Sequence, residues 1–154
     1  MKTVHIAADH AGFELREALL EHLKDSDYEV VDHGAYVYDP LDAYPPMCIA
    51  CAEAVVAGGP DALGIVIGGS GNGEQMAANL VDGARAALVW NESTARLARE
   101  HNNANVVSIG AREHSIEDAI HLVDIFLATP FSDDPRHIER IDMMRDYEEA
   151  RCGE

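Results

Sequence analysis

Residues 62–80 read ALGIVIGGSGNGEQMAANL. The first seven, ALGIVIG, form an almost unbroken apolar run, the pattern of a strand buried on both faces. Four glycines then fall within positions 68–73, and the stretch from Glu74 to about Leu80 is predicted to be a helix. A buried strand that passes through a glycine-rich turn into a helix gathers several backbone N–H groups, and the helix dipole, at one point. Such a nest stabilises negative oxygen, either on a phosphate or on an oxyanion formed during a reaction.

The loop matches none of the common templates. A dinucleotide fingerprint could use Gly69 and Gly71 but meets Glu at position 74. A nucleotide phosphate loop could use Gly68 and Gly73 but needs Lys-Ser/Thr where Glu74-Gln75 stands. A nucleophile elbow centred on Ser70 would end at Asn72 instead of glycine. Glu74 itself has two readings: an acid complementing the helix dipole, or a general base beside an oxyanion hole, the pairing that removes a proton alpha to a carbonyl.

Working outward, apolar runs predict further strands at 3–8, 28–34, 85–90 and 105–110. Helical spacing predicts helices over 12–25, about 46–57, 92–102, 115–129 and 133–150. The alternation implies one α/β domain over residues 1–154: a doubly wound, Rossmann-like or flavodoxin-like, five-stranded parallel sheet with helices on both faces and an extra C-terminal helix. The acidic end, from about residue 146, is expected to fray. Ligands of such folds sit at the carboxyl ends of the strands, so chemistry belongs to the loops at 9–12, 34–45, 68–74, 90–92 and 110–114.

Composition narrows the partners. With 47% hydrophobic and 25% charged residues, the 154-residue chain is expected to be soluble and globular. No apolar run approaches the roughly 20 residues of a membrane span, and MKTVHIAADH lacks the layout of a signal peptide, so a cytoplasmic location is expected. A formal charge of −17 opposes nucleic acid and anionic membrane as partners, yet a few arginines could still hold a small phosphate. Cys48 and Cys51 form a C-x-x-C, but no second pair completes a zinc set; in PPMCIACAEAVVAG they read as small core residues of a helix, and no metal is expected.

Other residues join the glycine loop. Asp9 and His10 end the first strand at the same sheet edge, where they suit acid–base work, although Asp9 could equally be a buried cap. His101 and Asn102 precede the last strand, at the opposite edge, so a catalytic His101 would reach a neighbouring subunit's site. Arg136 and Arg140, spaced i, i+4, share a face of the final helix; they suit a phosphate, or ion pairs with Glu139 or Asp133. Arg112, after the last strand, is a further phosphate candidate.

Together, DHAGFELRE, GIVIGGSGNGEQMAAN, RAALVWNESTARLAREHNNANVVSIGAR and the arginine-bearing last helix make the chain resemble the ribose-5-phosphate isomerase B family over nearly its whole length. The resemblance implies interconversion of D-ribose 5-phosphate and D-ribulose 5-phosphate through a cis-enediolate, without metal or organic cofactor. It implies ring opening by Asp9 and by His101 of the partner subunit in a homodimer or dimer of dimers. Many members use a cysteine at the start of the glycine loop as the base; that position is Gly68 here, and an actinobacterial subgroup carries a glutamate matching Glu74. Ser70, the N–H groups of Gly69, Gly71, Asn72 and Gly73, and the partner's Asn102 match the groups that hold the enediolate, with Tyr44 a sugar-side contact. His10, Arg136 and Arg140, with Arg112 from the neighbour, match the phosphate contacts. Two departures stand out: Leu80 replaces the lysine of AANK, and DYP appears as AYP at 43–45, with Asp42 displaced by one residue. Two other functions compete: the same chemistry on another sugar phosphate, such as allose 6-phosphate or galactose 6-phosphate, and a non-catalytic phospholigand-binding module, which would have no use for Asp9, His101 and Glu74 together.

Overall fold

A computed structural model describes residues 1–152. In chain order the elements are β1 Thr3–Ala8, α1 Phe13–Leu23, β2 Glu29–Asp32, α2 Pro45–Gly58, β3 Ala62–Gly68, α3 Asn72–Ala78, β4 Ala86–Leu88, α4 Glu92–Glu100, β5 Val106–Gly110, α5 Ile116–Ala128 and α6 Pro135–Cys152, with one-turn 3-10 helices at His10–Gly12 and Gly59–Asp61. All neighbouring strands are parallel, in the order β2-β1-β3-β5-β4. The doubly wound architecture expected from the strand–helix alternation is therefore the one observed.

The alternation of side chains along the central strands builds two cores. Leu63, Ile65 and Ile67 of β3 face one way, against leucines of α1, alanines of α4 and the apolar side of α5, including the fully buried Phe126. Val66 faces the other way, against Cys48, Cys51, Ala52 and Val55 of α2 and Ala77 and Ala78 of α3. Cys48 and Cys51 are thus small packing residues, and burial pushes both thiols up, Cys51 to about 12. The edge strand β4 is sealed by Asn79, whose amide donates to Ala86 O (3.0 Å) and accepts from Ala86 N (2.8 Å), as a neighbouring strand would.

Two boundaries differ from expectation for identifiable reasons. The helix after the glycine loop starts at Asn72, two residues early, because Gly71 adopts φ 84° and turns the chain directly into the first helical turn. The final helix continues to Cys152 instead of fraying from 146. Its end is held where the Glu148 carboxylate accepts from Gly83 N (3.1 Å) and Arg151 pairs with Asp82 (2.9 Å). Residues 153 and 154 of the expected tail lie outside the described residues. Among the described residues, no helix is long and apolar enough to cross a membrane.

Candidate active site

Connections change direction between β1 and β3, the crevice where doubly wound sheets hold ligands. The parallel register Ala8↔Ile67 brings the residue after β1, Asp9, level with the glycine loop after β3, and Asp9 N donates to Ile67 O (3.3 Å). Gly12 is required here by contact, since a Cβ would lie 2.5 Å from Ile67 Cγ2. Asp9 is 6% exposed, and its Oδ1 caps the following turn by accepting from Ala11 N (2.9 Å) and Gly12 N (3.2 Å). The capping role is real, and it uses one oxygen only.

Glu74 is the more deeply buried of the two acids beside the glycine loop, 4% exposed. Its carboxyl folds back under the loop, where a Cβ built on Gly68 would overlap it outright. Burial raises its pKa above the ordinary 4.5, and the nearby Asp9 charge adds to the rise; hydrogen bonds from its own amide and from Gly71 act in the opposite direction. Dipole complementarity alone would leave such a side chain in solvent.

The rest of the loop is tied on all sides. Ser108 Oγ donates to Gly71 O (2.7 Å), Ala111 N to Gly68 O (2.8 Å) and Arg112 N to Gly69 O (3.1 Å), so the loops after β3 and β5 are stitched together. Ser108 was missed by sequence reasoning, although a lone hydroxyl in an otherwise apolar, fully buried strand must find a partner. Ser70 is exposed, with its Oγ accepting from Asn72 N (3.3 Å). Tyr44, next to Pro45 and Pro46 at the start of α2, lays its phenol over Gly73 so closely that no Cβ could stand there.

His10 and Arg112 line one cavity of about 500 Å³ with Phe13, Glu14 and Tyr38. The Arg112 guanidinium reaches back beside Gly69 of its own chain: a Cβ at Gly69 would lie 3.2 Å from Nη1. This corrects the expectation that Arg112 comes from the neighbouring subunit; the short loop after β5, bonded to Gly69, holds it on this side. Asp9, His10 and Asp42 offer three ligand atoms within 4.8 Å of one another, the described cluster best placed for a metal. Asp9 Oδ1 already accepts from two amides, and Asp42 Oδ1 from His10, so the cluster is a hydrogen-bonded one.

Other candidates lie elsewhere. His101 caps the end of α4, before β5 and therefore at the sheet edge opposite Glu74. Its ring stacks on the buried His137 of α6, with centroids 4.2 Å apart, and His137 Nδ1 is held by Ser132 Oγ (2.7 Å). Asn102 follows and accepts from Arg85 Nε through its carbonyl (3.3 Å). Arg136 and Arg140 are exposed on α6, flanking His137 and so grouped with His101 instead of with the glycine loop. Arg136 pairs with Asp134 (3.3 Å), neither of the two acids expected from spacing, because Asp134 also accepts from the Arg136 amide (2.9 Å) at the helix start.

A family model described as Ribose/Galactose Isomerase matches residues 4–144. The chain belongs to the ribose/galactose isomerase family. Relatives within reach of this family include a ribose-5-phosphate isomerase B of Mycolicibacterium paratuberculosis, 54% identical over 145 residues that cover 94% of this chain and 91% of the relative. One from Escherichia coli is 34% identical, covering 98% and 99%. Among solved structures, ribose-5-phosphate isomerase B of Mycoplasma genitalium with bound ribulose-5-phosphate superposes with a TM-score of 0.92 at 42% identity, covering 96% of each chain. The matched span contains the whole glycine loop, His101, Arg136 and Arg140, so every candidate lies within the residues that the family model matches.

Proposed function

We propose that the chain is an aldose–ketose isomerase that interconverts D-ribose 5-phosphate and D-ribulose 5-phosphate through a cis-enediolate, with Glu74 as the base that moves the carbon-bound proton. The observation that carries this reading is the position of the Glu74 carboxyl. It fills the space a side chain at position 68 would need, which is where many family members place a cysteine base. The two bases are alternative occupants of one volume, reached from opposite ends of the same loop.

The chemistry then divides among the elements. Asp9, with one oxygen not engaged in capping, and His101 of the partner subunit open the sugar ring by moving protons between the ring oxygen and the C1 hydroxyl. Glu74, made a stronger base by burial and by the nearby Asp9 charge, removes the C2 proton as a carboxylate and returns it to C1, while a proton passes from O2 to O1. Ser70 Oγ, the N–H groups of Gly69, Asn72 and Gly73, and the partner's Asn102 hold the enediolate oxygens. Tyr44 closes the sugar side over Gly73.

His10 and Arg112 take the phosphate from the same chain as Glu74, where they share a cavity. Because His101 and the Arg136/Arg140 helix are joined through His137, these groups act as one block and reach the same partner site in a homodimer. The phosphate is thereby clamped from both subunits, and a single chain holds only half of each site.

Purified protein incubated with ribose 5-phosphate and followed by carbon-13 NMR tests the reading. Ribulose 5-phosphate should accumulate to equilibrium, faster than any ketose formed from allose 6-phosphate or galactose 6-phosphate. Turnover of none of the three would overturn it.

A further inference from the structure

We propose that Asp42 is a positioning residue for this reaction: it holds the His10 ring through Nδ1–H and so aims Nε2 at the ligand, where the imidazolium form donates its Nε2 hydrogen to a phosphate oxygen. The inference rests on the isomerase reading for its consequence and on geometry alone for its substance.

Asp42 Oδ1 accepts two hydrogen bonds from one residue, from His10 N at 2.9 Å and from His10 Nδ1 at 2.8 Å. An ionised carboxylate can only accept, so Nδ1 is the nitrogen carrying hydrogen. The backbone bond matters as much as the ring bond. It pins the oxygen relative to the His10 main chain, so a half-turn of the ring would exchange the Nδ1 contact for a carbon. Nε2, on the far side of the ring, belongs to the residue that lines the cavity shared with Arg112.

Asp42 reaches this position through its own turn. Asp39-Pro40-Leu41-Asp42 closes with Asp42 N donating to Asp39 O (3.2 Å), while Asp39 Oδ1 accepts from Leu41 N (2.9 Å). Asp at the first turn position and Pro at the second favour this arrangement. The outcome is costly locally: the Asp42 side chain is 14% exposed, and its Oδ2 is buried with no hydrogen bond among the described residues. Asp39, three residues earlier, stays in solvent. A loop residue that gives up solvation of one oxygen to hold an imidazole from two points is placed for the imidazole. The displacement of this acid by one residue relative to the DYP pattern leaves Tyr44 in register with Gly73 while putting the carboxylate on His10.

Nitrogen-15 NMR of histidine-labelled protein, read at a pH where the ring is neutral, reports the His10 tautomer directly. The expected result is Nδ1–H in the wild type and loss of that preference in Asp42→Ala. Asp42→Asn should keep it, because the His10 amide selects the carbonyl oxygen of the asparagine as its partner. With ribose 5-phosphate, Asp42→Ala should raise KM by roughly ten- to hundredfold with a smaller effect on kcat, and Asp42→Asn should recover most of the loss. The wild-type spectrum suffices for the tautomer even if Asp42→Ala does not fold. An Nε2–H tautomer in the wild type, or a KM for Asp42→Asn as high as for Asp42→Ala, would overturn the proposal. Absence of sugar-phosphate turnover would sink the isomerase reading instead, with the spectra still deciding what Asp42 does.

Discussion

Gly68→Cys places a side chain where the structure leaves no room for one. A Cβ at this position overlaps the Glu74 carboxyl group, and Gly68 is itself buried at the end of the central strand. Backbone movement is opposed because Gly68 O is bonded to Ala111 N (2.8 Å), so the carboxyl must leave. Overpacking of this kind costs about 1–3 kcal/mol, which for a domain of this size lowers Tm by roughly 2–12 °C. Displacing the base by an ångström or more costs on the order of a hundredfold in kcat/KM. The single variant should therefore be both less stable and poorly active. Glu74→Ala alone should lack the base, with its space empty. Combining the two removes the clash and offers a thiol in the vacated volume, so Gly68→Cys/Glu74→Ala should melt above Gly68→Cys and turn over faster than Glu74→Ala. Differential scanning calorimetry and initial rates on the four proteins of the cycle give the coupling. Additive effects on Tm and on rate would show that the two side chains do not compete for one volume.

Two further outcomes follow from the same geometry. The raised pKa of Glu74 means that the folded state binds its proton more tightly than the unfolded chain, so this group's contribution to stability falls as pH rises from the ordinary carboxylate value of 4.5 toward the folded one. Glu74→Gln, always neutral, should melt above wild type near pH 7 and lose that advantage as pH drops below about 4.5, as thermal melts across this range would show; an advantage independent of pH would contradict the assignment. Shared sites predict a complementation pattern. Mixing inactive His101→Ala and Glu74→Gln chains should restore about a quarter of wild-type activity, since half the random dimers carry one intact site. Arg136→Ala/Arg140→Ala chains should likewise complement Glu74→Gln but fail with His101→Ala, and complementation in that last mixture would separate the arginines from the His101 block.

The fold was legible where hydrophobic patterning is strong. The run 62–68 announces a strand buried on both faces, and it occupies the middle of the sheet. The order of β5 and β4 was not legible, because side-chain alternation records which face is buried and says nothing of which neighbour lies alongside. The persistence of α6 to Cys152 depends on Glu148 and Arg151 meeting residues 82 and 83, a contact between charged positions with no local pattern to reveal it. In the site, Asp9, His10 and Glu74 converge because register and topology bring the ends of β1 and β3 together, whereas Tyr44, implied only by the resemblance, reaches the loop from the start of α2 at Gly73. Arg112 went to the wrong side because its placement is decided by main-chain bonds to Gly69. In the sequence Asp42 is only a displaced acid; its hold on His10 needs the turn at Asp39-Pro40, whose sequence is readable but whose direction is not.

The role of Glu74 is tested most directly by kcat of the Glu74→Gln enzyme on ribose 5-phosphate, measured beside calorimetric binding of the same sugar phosphate. The side chain is buried under Gly68, and glutamine keeps its shape while losing only the capacity to take a proton. With Glu74 as the base, kcat should fall by roughly 10²–10⁴-fold while affinity stays within a few-fold of wild type. A variant that binds normally and turns over at near the wild-type rate would contradict it.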